Sequence, residues 1–171
     1  MERIAIVGSG GAGKSTFARR LGRAIGLEVV HLDTLMWRPN WELVSREEQK
    51  QIQLELLASP DGWIIDGNYG FTMELRLQAA DTIIFLDLPR WLCMTRIVKR
   101  RIHYHNRSRP DMREGNKEQL TLEFLRFVWG FKKNKRPQIK GRLQKLENEK
   151  RVVILHSRRE VEAFLRGVEG A

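Results

Sequence analysis

The chain has 171 residues, 42% of them hydrophobic, enough for one ordinary core and too few for two domains of typical size. A single cysteine, Cys93, excludes an internal disulfide and offers no zinc or redox framework, so a reducing, cytoplasmic setting is expected. No apolar run approaches the roughly 20 residues of a membrane helix and the N-terminal one is too short for a signal-peptide core, so no membrane partner is expected.

The formal charge of +10 is regional in origin. Residues 1 to 95 carry 10 Lys and Arg against 12 Asp and Glu, whereas residues 96 to 151 carry 18 against 6. A basic region of this kind suits nucleic acid, an acidic membrane or the phosphates of a small substrate, and charge alone does not choose among them.

In chain order, Arg3 to Val7 is a short apolar run stopped by Gly8, the pattern of a strand buried on both faces. Lys14 to Ile25 places Phe17, Ala18, Leu21, Ala24 and Ile25 at helical spacing, with Gly26 as the stop. Val29 to Leu32 predicts a second strand, and Arg46 to Leu57 a helix with Gln49, Ile52 and Leu56 along one stripe. Trp63 to Ile65, ending at Asp66, predicts a third strand, and Thr82 to Leu86, ending at Asp87, a fourth. After Pro89 a long helix is expected, with Arg96, Lys99, Arg100 and Arg101 interleaved among Leu92, Cys93, Ile97 and Val98. His105 to Gly115 lacks periodicity and reads as a loop, and Lys117 to Trp129 resumes helix. The charge run Lys132 to Arg136 ends at Pro137, Ile139 to Glu147 predicts a short helix, Val152 to Leu155 a fifth strand and Glu160 to Arg166 a closing helix. Apolar strands alternating with helices imply an α/β fold, a five-stranded parallel sheet with helices on both faces, in one domain over residues 1–171. Ligands of such sheets bind beyond the carboxyl ends of the strands, where Gly8, Asp33, Asp66 and Asp87 all fall.

Gly8-Ser9-Gly10-Gly11-Ala12-Gly13-Lys14-Ser15 satisfies GxxxxGK[ST] between a predicted strand and a predicted helix, the context that confirms a phosphate-binding loop. Glycines let backbone N–H groups converge on phosphate oxygens, and the helix N-terminus adds its positive dipole. ATP with Mg²⁺ is the expected ligand, with Lys14 reaching the β and γ phosphates, Ser15 on Mg²⁺ and Thr16 at the α phosphate.

The motif order resembles the adenylate-kinase-like group of P-loop kinases: the Gly8 to Ser15 loop, Asp66-Gly67, Phe85-Leu86-Asp87-Leu88-Pro89, then Arg96-Ile97-Val98-Lys99-Arg100-Arg101. Within that group, Trp63 to Tyr69 and Arg109-Pro110-Asp111-Met112 look like the bacterial proteins labelled DNA topology modulation proteins, or FlaR-like. The resemblance implies a nucleotide-kinase-like fold with a helical lid, here at approximately 104–116, which holds Arg107, Arg109 and Arg113. It places Arg96 and Arg100 over the nucleotide and its transferring phosphate, where cations around the equatorial oxygens do most of the catalysis. A solvated basic helix face is the competing reading, more so for Lys99 and Arg101. It also implies Asp66 as the carboxylate that holds Mg²⁺ through water, Asp87 as its partner or else a helix cap, and Asp33 as the group that orients or deprotonates an acceptor hydroxyl. Arg158, after the fifth strand, falls where adenine is cradled, with Ser157 as a plain helix cap the alternative.

The acceptor side departs from adenylate kinases, which hold the AMP phosphate with two arginines. Trp37 stands near the place of the first, with Arg38 a shifted substitute, and Gly67-Asn68-Tyr69-Gly70 at the place of the second. Trp37, Asn68 and Tyr69, with Trp41 and Phe71, suggest an aromatic-walled acceptor pocket, packing under the acceptor helix being the alternative for Trp41. Phe124, Phe127, Trp129 and Phe131 recur at helical spacing and read as core, and His31, His103 and His105 lack metal-ligand spacing.

The expected function is ATP- and Mg²⁺-dependent phosphoryl transfer to a small-molecule acceptor, a nucleoside or nucleotide among the candidates. The alternative is a basic nucleic-acid-associated ATPase affecting DNA topology, although no helix-turn-helix, zinc or RNA-recognition signature accompanies it.

Overall fold

The computed structural model describes residues 1–105, 107 and 111–170. The chain runs β1 (Arg3–Gly8), α1 (Lys14–Ile25), β2 (Val29–His31), α2 (Leu32–Met36), β3 (Trp37–Arg38), a single 3₁₀ turn (Pro39–Trp41), β4 (Glu42–Leu43) and α3 (Arg46–Leu57). It continues with β5 (Trp63–Asp66), α4 (Met73–Ala79), β6 (Thr82–Leu86), α5 (Arg90–His103), α6 (Leu122–Asn134), α7 (Arg136–Leu146), β7 (Arg151–Leu155) and α8 (Arg158–Glu169).

The main sheet has the order β2-β5-β1-β6-β7, every pair parallel, so the expected five-stranded parallel sheet is present. Side chains alternate across it, as a strand requires. Ile4 and Ile6 of β1 pack with Phe17 and Leu21 of α1, Cys93 and Ile97 of α5 and Leu165 of α8. Ala5 and Val7 join the opposite layer, with Met73 and Leu77 of α4 and Ile139, Leu143 and Leu146 of α7. Burial on both faces explains why the strands read as unbroken apolar runs. Among the described residues no helix is long and apolar enough to cross a membrane.

Three expectations are corrected. Leu32 opens α2 instead of ending β2, and a two-stranded antiparallel hairpin, β3 with β4, follows it. Helix α6 begins at Leu122, not Lys117, because Thr121 accepts a hydrogen bond from Phe124 N and so caps the first turn. Pro137 does not merely end a charge run: it sits in the first turn of α7, where a missing N–H costs nothing. Gln49 is buried as its stripe position predicts, its amide donating to the Val44 carbonyl.

Candidate active site

β1 lies beside β6, and the crossover leaving β1 runs to β2 on one side of the sheet while that leaving β6 runs to β7 on the other, which opens a crevice at their carboxyl ends. The phosphate loop fills that position. Gly11 and Gly13 have φ of 74° and 92°, and a Cβ on Gly11 would collide with the Cys93 carbonyl of α5. Gly13 starts α1 with no side-chain cap, which leaves the first-turn N–H groups for a ligand. A cleft of about 970 Å³ opens over Gly10 to Thr16. Gly8 and Ser9 do not line it. The Gly8 N–H donates to Asn68 Oδ1 at 3.1 Å, the Gly8 carbonyl accepts from Asn68 Nδ2 at 2.7 Å, and Ser9 is buried against a smaller cavity behind the loop.

The donor-side cations gather as expected. Lys14 Nζ donates to the Ser9 carbonyl at 3.2 Å, lying across its own loop. Arg96 donates to the Ala12 carbonyl at 2.9 Å, and burial followed by repulsion from Arg158 lowers its pKa. Neither guanidinium forms an ion pair among the described residues, and both line the cleft. Two like charges held together call for an anion between them. Arg100 lines the same cleft, its Nε donating to Glu118 Oε1 at 2.9 Å. Ser157 caps α8 and Glu160 reaches back to His156 N, so the helix-cap reading is present, and Arg158 lies at the cleft edge.

On the other side of β1, Asp66 ends β5 with 5% exposure. Its Oδ2 lies 2.9 Å from His31 Nδ1, while Oδ1 is buried without a hydrogen-bond partner. An orphaned carboxylate oxygen beside a phosphate loop fits a hydrated cation, and Ser15 lines the same cleft. Among the described residues no three His, Cys, Asp or Glu side chains converge as a metal site; Ser15 and Asp66 are the residues that could hold a Mg²⁺ carried by nucleotide phosphates.

Asp33, in the first turn of α2, accepts the Tyr69 hydroxyl at 2.6 Å. Burial, and then the charge of Asp33, raise the Tyr69 pKa far above the phenol range, so the hydroxyl stays a donor. Trp37 and Trp41 stand edge to face at 5.8 Å and both line the cleft, Trp41 being half-buried there and not in the core. Phe124 and Phe127, expected in the core, also line it: Phe124 packs on Gly10, where α6 covers the loop.

Several expected residues are placed elsewhere. Asp87 does not line the cleft and does not cap α5: it receives both contacts of the Arg136 Nε at 2.8 Å and lies 3.2 Å from His156, behind the loop. Pro89 occupies the cap position of α5 instead. Asn68 lines the cleft, but its amide is committed to Gly8. Arg38 is no acceptor arginine, being exposed and paired with Glu48 at 2.7 Å. Phe71 is 53% exposed beneath Arg46 and outside the cleft. Arg107 contributes backbone bonds to Tyr104 and Glu118 and does not line the cleft, and Arg109 lies outside the described residues.

Two residues escaped sequence reasoning. Arg76 of α4 is 1% exposed and donates to Gln53, Thr72 and the carbonyls of Gly67 and Asn68, pinning the turn that carries Asn68 and Tyr69. Burial lowers its pKa to about 10, so it stays charged at neutral pH. Asn116, fully buried, accepts from Trp41 N at 2.8 Å and donates to the Arg38 carbonyl at 2.9 Å. A lone arginine or asparagine in a polar stretch gives no signal of either role.

No protein-family model matches the chain, and no curated protein matches it. Among solved structures, shikimate kinase from Acinetobacter baumannii, in complex with shikimate, is similar at 16% identity over 98% of this chain and 90% of that one, with a TM-score of 0.57. Shikimate kinase from Bacteroides thetaiotaomicron is similar at 16% identity over 98% and 96%, with a TM-score of 0.54. A deoxyadenosine kinase from M. mycoides with bound dCTP gives 15% identity over 99% and 100%, with a TM-score of 0.47. The sheet order, the loop after its central strand and the flanking helices are those of the P-loop kinase fold.

Proposed function

We propose that the chain is an ATP- and Mg²⁺-dependent phosphotransferase acting on the hydroxyl of a small metabolite. The observation that carries this reading is one cleft with Lys14, Arg96 and Arg158, which form no ion pair among the described residues, at one end and, at the other, a carboxylate, Asp33, with only one oxygen engaged. In the reaction, the acceptor oxygen bonds the γ phosphorus, the bond to the β–γ bridging oxygen breaks to leave ADP, and the hydroxyl proton passes to Asp33. Lys14, Arg96 and Arg100, which line the cleft, would balance charge on the transferring group, and Arg158, at its edge, would pack on the base. Mg²⁺, when bound through Ser15 and water on Asp66, neutralises phosphate charge and orients the phosphates. The motif order resembles that of the adenylate-kinase-like group, and this reading takes the chain as one domain with its lid insert at approximately 104–116. The test is acceptor-dependent ADP release across a panel of nucleosides, nucleotides and sugars, with Lys14→Ala as control. Transfer should appear with an acceptor and fall about 100-fold or more in the variant. A rate that needs no acceptor and ignores Lys14→Ala would sink the proposal.

A further inference from the structure

The cations lining the cleft are Lys14, Arg19, Arg20, Arg96, Arg100 and Arg158, and among the described residues every one lies on α1, α5 or α8, around the phosphate loop. The wall at the β2 and β5 side is made by Asp33, Trp37, Trp41, Asn68 and Tyr69. The arginines near that wall in sequence are committed elsewhere, Arg46 lying over the exposed Phe71 ring at 5.3 Å. Arg38 turns to Glu48 at 2.7 Å and to Glu42 at 3.6 Å. Arg76 is enclosed and spends its donors on Gln53, Thr72 and two backbone carbonyls. A phosphate or carboxylate on the acceptor would thus be stripped of water against Asp33 and aromatic rings with no counter-charge among the described residues of that wall, which is costly.

A neutral hydroxyl meets the opposite situation. Asp33 Oδ1 is held by Tyr69, and Oδ2 has no hydrogen bond among the described residues. Trp37 and Trp41 offer indole surfaces to a ring. The described non-glycine residues with positive φ are Asn40 at 66°, Trp41 at 62° and Tyr69 at 30°, all on or beside this wall. The fold holds these rings against local backbone preference, as binding sites do.

We infer that the acceptor subsite selects an uncharged, hydroxyl-bearing ring compound and rejects its phosphorylated or carboxylated counterpart, an inference that rests on the phosphotransfer reading above. Both a nucleoside and a sugar or cyclitol present this chemistry. The test uses the intact chain with ATP and Mg²⁺ and paired acceptors: nucleosides against their 5′-monophosphates, and monosaccharides or cyclitols against the matching ring acids. The neutral member should show kcat/KM about 100-fold above its anionic partner, and the kind of neutral ring turned over separates base from sugar. Calorimetry with the protein loaded with a non-hydrolysable ATP analogue should give the same order of affinities. Trp37→Arg, which supplies the missing cation, should narrow the gap about tenfold. An anionic member that binds or reacts as well as its neutral partner overturns the inference and leaves phosphotransfer standing, as does failure of every neutral ring to bind the loaded protein. Neutral binding without any transfer overturns phosphotransfer and upholds the selectivity.

Discussion

Asn68 shows how one side chain serves two halves of the site. Its amide holds both backbone groups of Gly8, the first residue of the phosphate loop, while its own carbonyl is held by Arg76 at 2.5 Å and its neighbour Tyr69 donates to Asp33. The phosphate loop and the Asp33 carboxylate are therefore joined through one turn, which under the proposed function makes Asn68 a positioning residue. Each such hydrogen bond is worth about 1 kcal/mol net, so Asn68→Ala should weaken Mg·ADP binding about tenfold. Titration calorimetry reads this directly. An unchanged affinity, with the Gly8 amide exchanging faster, would show that the clamp is only structural. Tyr69→Phe removes the donor to Asp33 while keeping the ring, and should lower kcat more than it raises KM for the acceptor. A rise in KM alone would assign Tyr69 to binding.

At the level of elements, polar pins set where strands and loops meet. Asp81 precedes β6 and accepts from the N–H groups of Glu2 and Arg3, fastening the start of β1. Burial pushes its carboxyl up, but the Thr82 hydroxyl and those two amides outweigh it and hold the pKa below the ordinary 3.8. A depressed carboxyl adds stability that is present above the unfolded value and lost as pH falls through the folded one. Asp81→Ala should therefore melt at a lower temperature than the parent at pH 7, with the gap closing as pH drops below 3.8. A gap that persists to pH 2 would assign the effect to something other than ionisation. Asn116 plays the same part for the hairpin β3–β4, which it ties to the segment after α5 and so sets Trp41 in the cleft.

Across the whole molecule, the basic excess divides by location. Arg96 and Arg100 enter the cleft, Arg136 and Lys140 surround Asp87, and Lys150 donates to the carbonyls of Gln78 and Ala80. Part of the charge that suggested nucleic acid is thus engaged in the cleft or within the fold. Duplex DNA should leave ATP turnover within about twofold at moderate salt, and a DNA-stimulated rate without a phosphorylated small product would favour the nucleic-acid ATPase instead. The strands, most of the helices and the loop from Gly8 to Ser15 were legible in the sequence because they are local: periodicity records burial, and consecutive glycines with Gly13-Lys14-Ser15 record a backbone shape. Asp33, Asp66, Arg96 and Arg158 were legible because each follows a strand end or rides the expected helix at the cleft. Asp87 was not, since nothing local shows that Arg136, 49 residues on, takes its carboxylate. Nor do neighbours in sequence reveal that Asn68 faces Gly8, that Arg76 turns inward while Arg38 turns out, or that Trp41 joins Asn116. These pairings are made by distant segments meeting at the sheet's edge. Local sequence alone set the elements and the phosphate loop, and only the tertiary structure decided which charges remained free to meet a substrate.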